Sequence, residues 1–206
     1  MTIGLKADAG GTSGTIQIGG VDQVTVTNAG GLTATTIAGT TVTQGGVAMP
    51  RMVLATNVTA SGTAIDFTGI PSWAKRITII FNGLSLNSTS HLLVQIGSGS
   101  FVTSSYVGSS GEVSTSAPNQ CNGITSSAGF PVYIGVAASN AWGTMVLNLI
   151  TSNAWLSSHS VGKSTAAASG GGGSSALSGA LDRVRITTVS GTDTFDAGSV
   201  NIMYEG

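Results

Sequence analysis

The chain has 206 residues, a formal net charge of −1 and only 7% charged residues, against about 25% in an ordinary soluble domain. It has neither a basic nor an acidic field, so nothing in it would grip a nucleic acid backbone. Its single cysteine, Cys121, excludes an intrachain disulfide, and no apolar run approaches the roughly 18 residues of a membrane span.

Ile, Leu, Val and Phe together make up about a quarter of the chain, above the roughly 20% below which chains tend to stay disordered. The polar remainder is dominated by 31 glycines, 28 serines and 27 threonines. The surface is therefore built of hydroxyls, amides and glycine rather than ions. Such a surface packs against another chain with few charges to desolvate. The opening, Met1-Thr2-Ile3-Gly4-Leu5-Lys6, has no apolar h-region, so no secretory signal is expected.

Residues 1–50 read as one segment, rich in threonine and free of aromatic residues. Gly-Gly pairs at 10–11, 19–20, 30–31 and 45–46 separate short β-type runs: Thr15 to Ile18, Val24 to Thr27, Thr35 to Ile37 and Thr40 to Thr43. These strands are too short to build a core of their own, and something else must cover them. The irregular spacing excludes a fixed-period solenoid. We read the segment as an attachment and oligomerisation element.

Met49-Pro50-Arg51 marks the boundary to a second domain, residues 51–206. Strand signals recur there at roughly ten-residue intervals. They cover Thr63 to Phe67, Lys75 to Asn82, Leu92 to Ile96, Phe101 to Val107 and Pro131 to Val136. Later signals cover Thr144 to Thr151, Ala154 to Val161, Arg183 to Val189 and Ser199 to Tyr204. Alternation sets Ile77, Ile79 and Phe81 on one face, and Val200, Ile202 and Tyr204 on one face. Asn82-Gly83 and Asn122-Gly123 read as turns. Residues 164–175, with four consecutive glycines, read as a flexible loop. No stretch has a capped helical period. The fold class is all-β: an antiparallel, jelly-roll-like sandwich behind an extended N-terminal segment of short strands.

Residues 77–111 and 113–162 contain no Asp, Glu, Lys or Arg. Thr144 to Ile150 carries apolar residues on both faces, and an antiparallel strand buried on both faces needs a second partner layer. Met145, Leu147, Leu149 and Ile150 are therefore candidates for a subunit interface, with a homotrimer as the expected assembly.

Tests for chemistry return little. Ser157 to Ser164 imitates the end of a phosphate-binding loop, but Ser157 replaces the first glycine and no helix follows to supply aligned amides. Gly97-Ser98-Gly99-Ser100 lacks the rest of a dinucleotide fingerprint. Asp193 and Asp196 could be a hydrolytic pair, yet aspartates beside a turn more often cap it. His91 and His159 are isolated, so no metal ligand set assembles. No cofactor and no catalytic residue is assigned. Trp73, Tyr106, Trp142 and Trp155 could stack on a sugar, although core packing is the commoner role for such residues. Asn57-Val58-Thr59 and Asn87-Ser88-Thr89 match the glycosylation pattern, which without a secretory signal carries no weight.

Three stretches carry a resemblance. Ile70-Pro71-Ser72-Trp73-Ala74-Lys75-Arg76-Ile77-Thr78 resembles the opening strand of a module recurrent in tailed bacteriophage virion proteins. Leu177 to Thr188 and Thr192 to Glu205 resemble its later strands and C-terminal end. The resemblance covers roughly residues 50–206. It implies a multimeric, β-structured, non-catalytic virion protein, assembled in the host cytoplasm and lodged in the particle. A tail fibre or receptor-binding protein is the first expectation, with residues 1–50 joined to another virion protein and the knob facing a host-surface glycan. The short N-terminal segment departs from a long fibre shaft and suits a capsid decoration protein. A virion-associated glycan hydrolase is the third expectation.

Overall fold

The structure, a computed structural model, describes residues 50–206 except 116–119 and 138, together with the backbone of six strands within residues 1–49. The chain divides into two compact units, Met1–Met49 and Pro50–Gly206.

In the first unit β1 (Ile3–Ala7), β2 (Ser13–Ile18), β3 (Val21–Thr27) and β4 (Leu32–Thr33) pair antiparallel in chain order, and β5 (Thr43–Gln44) pairs with β6 (Val47–Ala48). Leu5 stands opposite Ile16, and Ile16 opposite Val24. Thr35 to Ile37 and the four Gly-Gly pairs lie outside the described residues.

The second unit is two antiparallel sheets around one core. The large sheet runs β14 (Gln120–Ser126), β13 (Val107–Ser114), β18 (Ala167–Ala176), β17 (Ala154–Lys163), β16 (Ala141–Thr151), β10 (Arg76–Leu86), β20 (Phe195–Glu205) and β7 (Met52–Leu54), with β8 (Val58–Thr59) also on β20. The small sheet runs β12 (Ser100–Phe101), β11 (Leu92–Ser98), β19 (Arg183–Thr188) and β9 (Ile65–Thr68), with β15 (Phe130–Val132) also on β11. Period-2 alternation aims Ile77, Ile79 and Phe81 of β10, Val200 and Ile202 of β20, and Val184 and Ile186 of β19 into the shared core. Tyr204 is only partly buried against it.

Five sequence expectations need correction. Residues 167–176 are a strand, not a loop: β18 is hydrogen-bonded to β17 on one side and β13 on the other. Glycine has poor intrinsic strand preference, but here small size is the requirement. A Cβ on Gly171 would collide with the Ser109 carbonyl oxygen of β13 and stand 2.7 Å from His159 Cε1, and one on Gly173 would collide with the Val107 carbonyl oxygen and stand 3.1 Å from Phe130 Cδ1. On β13 a Cβ on Gly108 would meet Pro131 Cδ at 2.9 Å. Glycine clears the room in which β15 and the His159 ring lie against the large sheet.

Asn122-Gly123 is not a turn but lies inside β14, opposite Glu112 and Gly111. Asn82-Gly83 is a bulge within β10, where the register to both neighbours shifts and Gly83 takes φ +64°. The Phe101–Val107 strand stops at Phe101. The chain then turns so that the Tyr106 hydroxyl accepts the Ile96 N–H at 2.8 Å and reaches the carbonyls of Ile96 and Val102 at 3.2 and 3.1 Å. Its ring meets Phe130 edge-on at 4.9 Å.

The strand buried on both faces is β11, not β16. Leu92, Val94 and Ile96 enter the core, while Leu93 and Gln95 are covered by Ala128 and Gly129, and Gln95 Nε2 donates to the Ala128 carbonyl at 2.9 Å. The second layer such a strand needs comes from within the chain. In β16, Met145 and Leu147 are buried in the subunit's own core, Leu149 is half-buried and Ile150 is exposed. Met145 and Leu147 therefore have no surface to offer a neighbour.

Two substitutions test this packing. Gly171→Ala should cost about 1–3 kcal/mol by overpacking, whereas Gly170→Ala, whose Cβ would make only an ordinary 3.6 Å contact, should be near neutral in urea unfolding. Tyr106→Phe strands the buried Ile96 N–H and should cost about 1–3 kcal/mol in the same assay.

Candidate interaction surface

The twelve ions of Pro50–Gly206 are unevenly placed. On the outward side of the small sheet, Arg185 makes a two-pronged contact to Asp66 at 2.7 Å and lies 4.1 Å from the centre of the Phe101 ring. Arg183 contacts Asp182 at 2.7 and 3.2 Å. The hydrogen bond to Arg183 holds the Asp182 carboxyl below the usual range, and the Asp66 carboxylate raises Arg185.

The large sheet is the opposite case. Five adjacent strands, β14, β13, β18, β17 and β16, hold only two ions, Glu112 and Lys163. Both are on the inward face and buried. The outward face of these strands carries no charge. It is made of Ser109, Ser158, Ser160, Gly111, Gly123 and their like, set beside exposed Leu156, Ile150, Val107 and Val113. Arg76, paired to Glu205 at 3.0 Å, stands beyond it at the start of β10.

Trp142 belongs to this face. It is 44% exposed, and its indole rests over the bulge, with Nε1 3.5 Å from where a Gly83 Cβ would be. Asn82, its cross-strand partner, donates to Ser199 Oγ at 3.3 Å. Of the four aromatic residues proposed for sugar stacking, Trp142 alone is exposed. Trp155 and Tyr106 are core residues, 2% and 3% exposed. Trp73 is half-buried against Tyr204, with Arg51 5.6 Å from its ring centre. A groove of about 650 Å³ crosses the edge of the face, lined by Val107, Ser109, Thr125, Ser126 and Gly172, with the buried Tyr106 at its floor. It offers hydroxyls but no open aromatic ring.

Inward, the same strands hold a polar cluster. Ser110 Oγ accepts the Tyr133 N–H at 2.9 Å and lies 2.9 Å from His159 Nε2. The serine hydroxyl and the imidazole share this hydrogen bond, with the donor set by the ring tautomer. Burial lowers the His159 pKa to about 4. His91 Nδ1 accepts the Ile134 N–H at 3.2 Å, and burial followed by the Lys163 charge lowers its pKa. Lys163 Nζ contacts Glu112 Oε2 and donates to the Ile134 carbonyl at 3.0 Å. Serine and histidine here are packed under β15 rather than at an opening. No acid accepts from His159 Nδ1, which has no partner, so the third member of a hydrolytic triad is missing.

Other expected sites resolve simply. Ser157 to Lys163 is part of strand β17, so no phosphate loop forms. Asp193 Oδ2 accepts the Ser90 N–H at 3.2 Å, a turn-holding role. Cys121 is exposed on β14. Among the described residues no group of three His, Cys, Asp or Glu side chains could hold a metal, and no helix is long and apolar enough to cross a membrane. Sequence reasoning missed the Glu112–Lys163 pair and Leu156. A signal for the pair existed: these two ions bound the uncharged stretch 113–162.

The buried imidazole gives a pH test. His159 has an ordinary pKa of 6.5 and a folded value of about 4, so the unfolded chain binds more protons between those values. Stability is therefore full above pH 6.5 and falls as pH drops toward 4, by about 3 kcal/mol at one pKa unit per 1.36 kcal/mol. His91 acts in the same direction. Urea midpoints across this range should fall with acid, and His159→Gln should flatten most of the slope. No family model, curated protein or solved structure matches the chain.

Proposed function

We propose that the chain is a non-enzymatic structural protein of a bacteriophage particle, of tail fibre or receptor-binding type. It works as a homotrimer whose first 50 residues attach to another virion protein. The observation that carries this reading is the ion-free outward face of β14, β13, β18, β17 and β16. A domain exposed alone to water commonly interleaves charges over its surface, and this one does so on its small sheet. Neutral hydroxyls, glycines and scattered apolar side chains desolvate cheaply. The fitting occupant is a second copy of this chain, because neutral faces do not repel and a net charge of −1 adds no long-range penalty. The resemblance to virion modules implies a multimer, and three is the number of copies we expect. Trp142 stands at the β10 border, at the end of β16 away from Ile150 and Leu156, and there, beside Asn82 and Ser199 and outside the contact between copies, it is the side chain we assign to a host-surface glycan.

A capsid decoration protein is the second reading. It is favoured by the first unit, Met1–Met49, whose six short strands suit an arm laid on a neighbouring virion protein. Copy number on purified particles separates the two: stoichiometry with tail appendages supports the first, and stoichiometry with the capsid lattice the second. Absence from particles defeats both. For the assembly itself, light scattering of the full chain should give three times the chain mass of 20.3 kDa. Leu156→Lys with Ile150→Lys should yield monomers of unchanged thermal stability, whereas a monomeric wild type would refute the trimer.

A further inference from the structure

The two ions of the five uncharged strands turn away from water and meet each other. Glu112 on β13 and Lys163 on β17 face inward across β18, with side chains 9% and 1% exposed. Nζ and Oε2 are in direct contact, and Oε2 has no hydrogen-bond partner besides this contact. The Ile134 carbonyl takes one N–H of Lys163 at 3.0 Å, and the Tyr133 ring lies 5.4 Å from Nζ. The amine is thus held against the carboxyl group in an enclosed site. We propose that Glu112 and Lys163 are a covalent modification site, joined by an isopeptide bond between Lys163 Nζ and Glu112 Cδ that forms within the folded chain.

The chemistry balances without an outside reagent. In a site this dry, two opposite charges are costly relative to their neutral forms, and burial lowers the lysine pKa. One ammonium proton passes to the carboxylate, giving an amine and a carboxylic acid. The Nζ lone pair adds to Cδ, the C–O bond breaks, and that oxygen leaves as water with two hydrogens that began on Nζ. The third stays on the amide nitrogen, where the Ile134 carbonyl accepts it. Proximity in a fixed geometry supplies the acceleration that free amine and acid lack in water. The product is a neutral amide, so no buried charge remains. The bond closes residues 112–163 into a covalent ring and ties β13 to β17 across the glycine strand. That suits a protein whose sheet is thin in side chains at this place.

Intact mass measurement and trypsin digestion of the purified, unfolded full chain test this directly. There is no Lys or Arg between Arg76 and Lys163, and the next after it is Arg183. The linked protein should weigh one water less than its sequence, and trypsin should leave residues 77–183 as a single peptide carrying the deficit. Lys163→Arg, which keeps the positive charge but cannot form this bond, should return the full mass. Full wild-type mass with separate 77–163 and 164–183 peptides would overturn the proposal. So would a water deficit that persists in Lys163→Arg, since the loss would then lie elsewhere.

Discussion

The second unit depends on a close approach that only glycine permits. Gly108 on β13, with Gly171 and Gly173 on β18, leaves the inward face of the large sheet without side chains where β15 and the His159 ring lie. Interiors are packed to crystal-like density, so a strand laid this near a sheet needs a matching absence. Everything polar in that half of the sandwich follows from it. With β15 and the residues after it pressed down, Tyr133 and Ile134 present backbone groups to Ser110, His91 and Lys163. Enclosure then keeps His159 neutral and brings Glu112 and Lys163 together.

The inward turn of these two ions has an outward consequence. With them inside, five neighbouring strands show water hydroxyls, glycine and isolated apolar side chains and no charge. The opposite sheet carries its charges as surface pairs, Arg185 with Asp66 and Arg183 with Asp182. Such pairs add little to stability. They do mark which side is adapted to solvent. The sandwich thus has a wet side and a side suited to contact, and the assembly reading rests on that asymmetry.

Much of the architecture was legible because alternation is a direct readout of strand geometry. Arg76 to Phe81, Arg183 to Ile186 and Val200 to Tyr204 repeat with a period of two, and each lies within a strand. β18 was illegible for a physical reason: Gly170 to Gly173 has the composition of a flexible linker, and what makes it a strand is the two neighbours that supply its hydrogen bonds. Asn82-Gly83 and Asn122-Gly123 share a dipeptide that turns, bulges or runs straight according to its partners. The interface expected at Met145 and Leu147 failed because local apolar density does not reveal which sheet will cover a strand. Trp155 and Tyr106 took the commoner aromatic role in the core, while Trp142 kept its exposure because a bulge lies beneath it.

The central claim is that an uncharged sheet face holds copies of this chain together. Sedimentation velocity of the full chain at low and at high sodium chloride tests it most directly, because salt screens ionic contacts and leaves neutral ones intact or strengthens them. The account predicts one trimer-sized species whose proportion does not fall as salt rises. A lone monomer at every salt concentration, or an oligomer that salt dissolves, would contradict it.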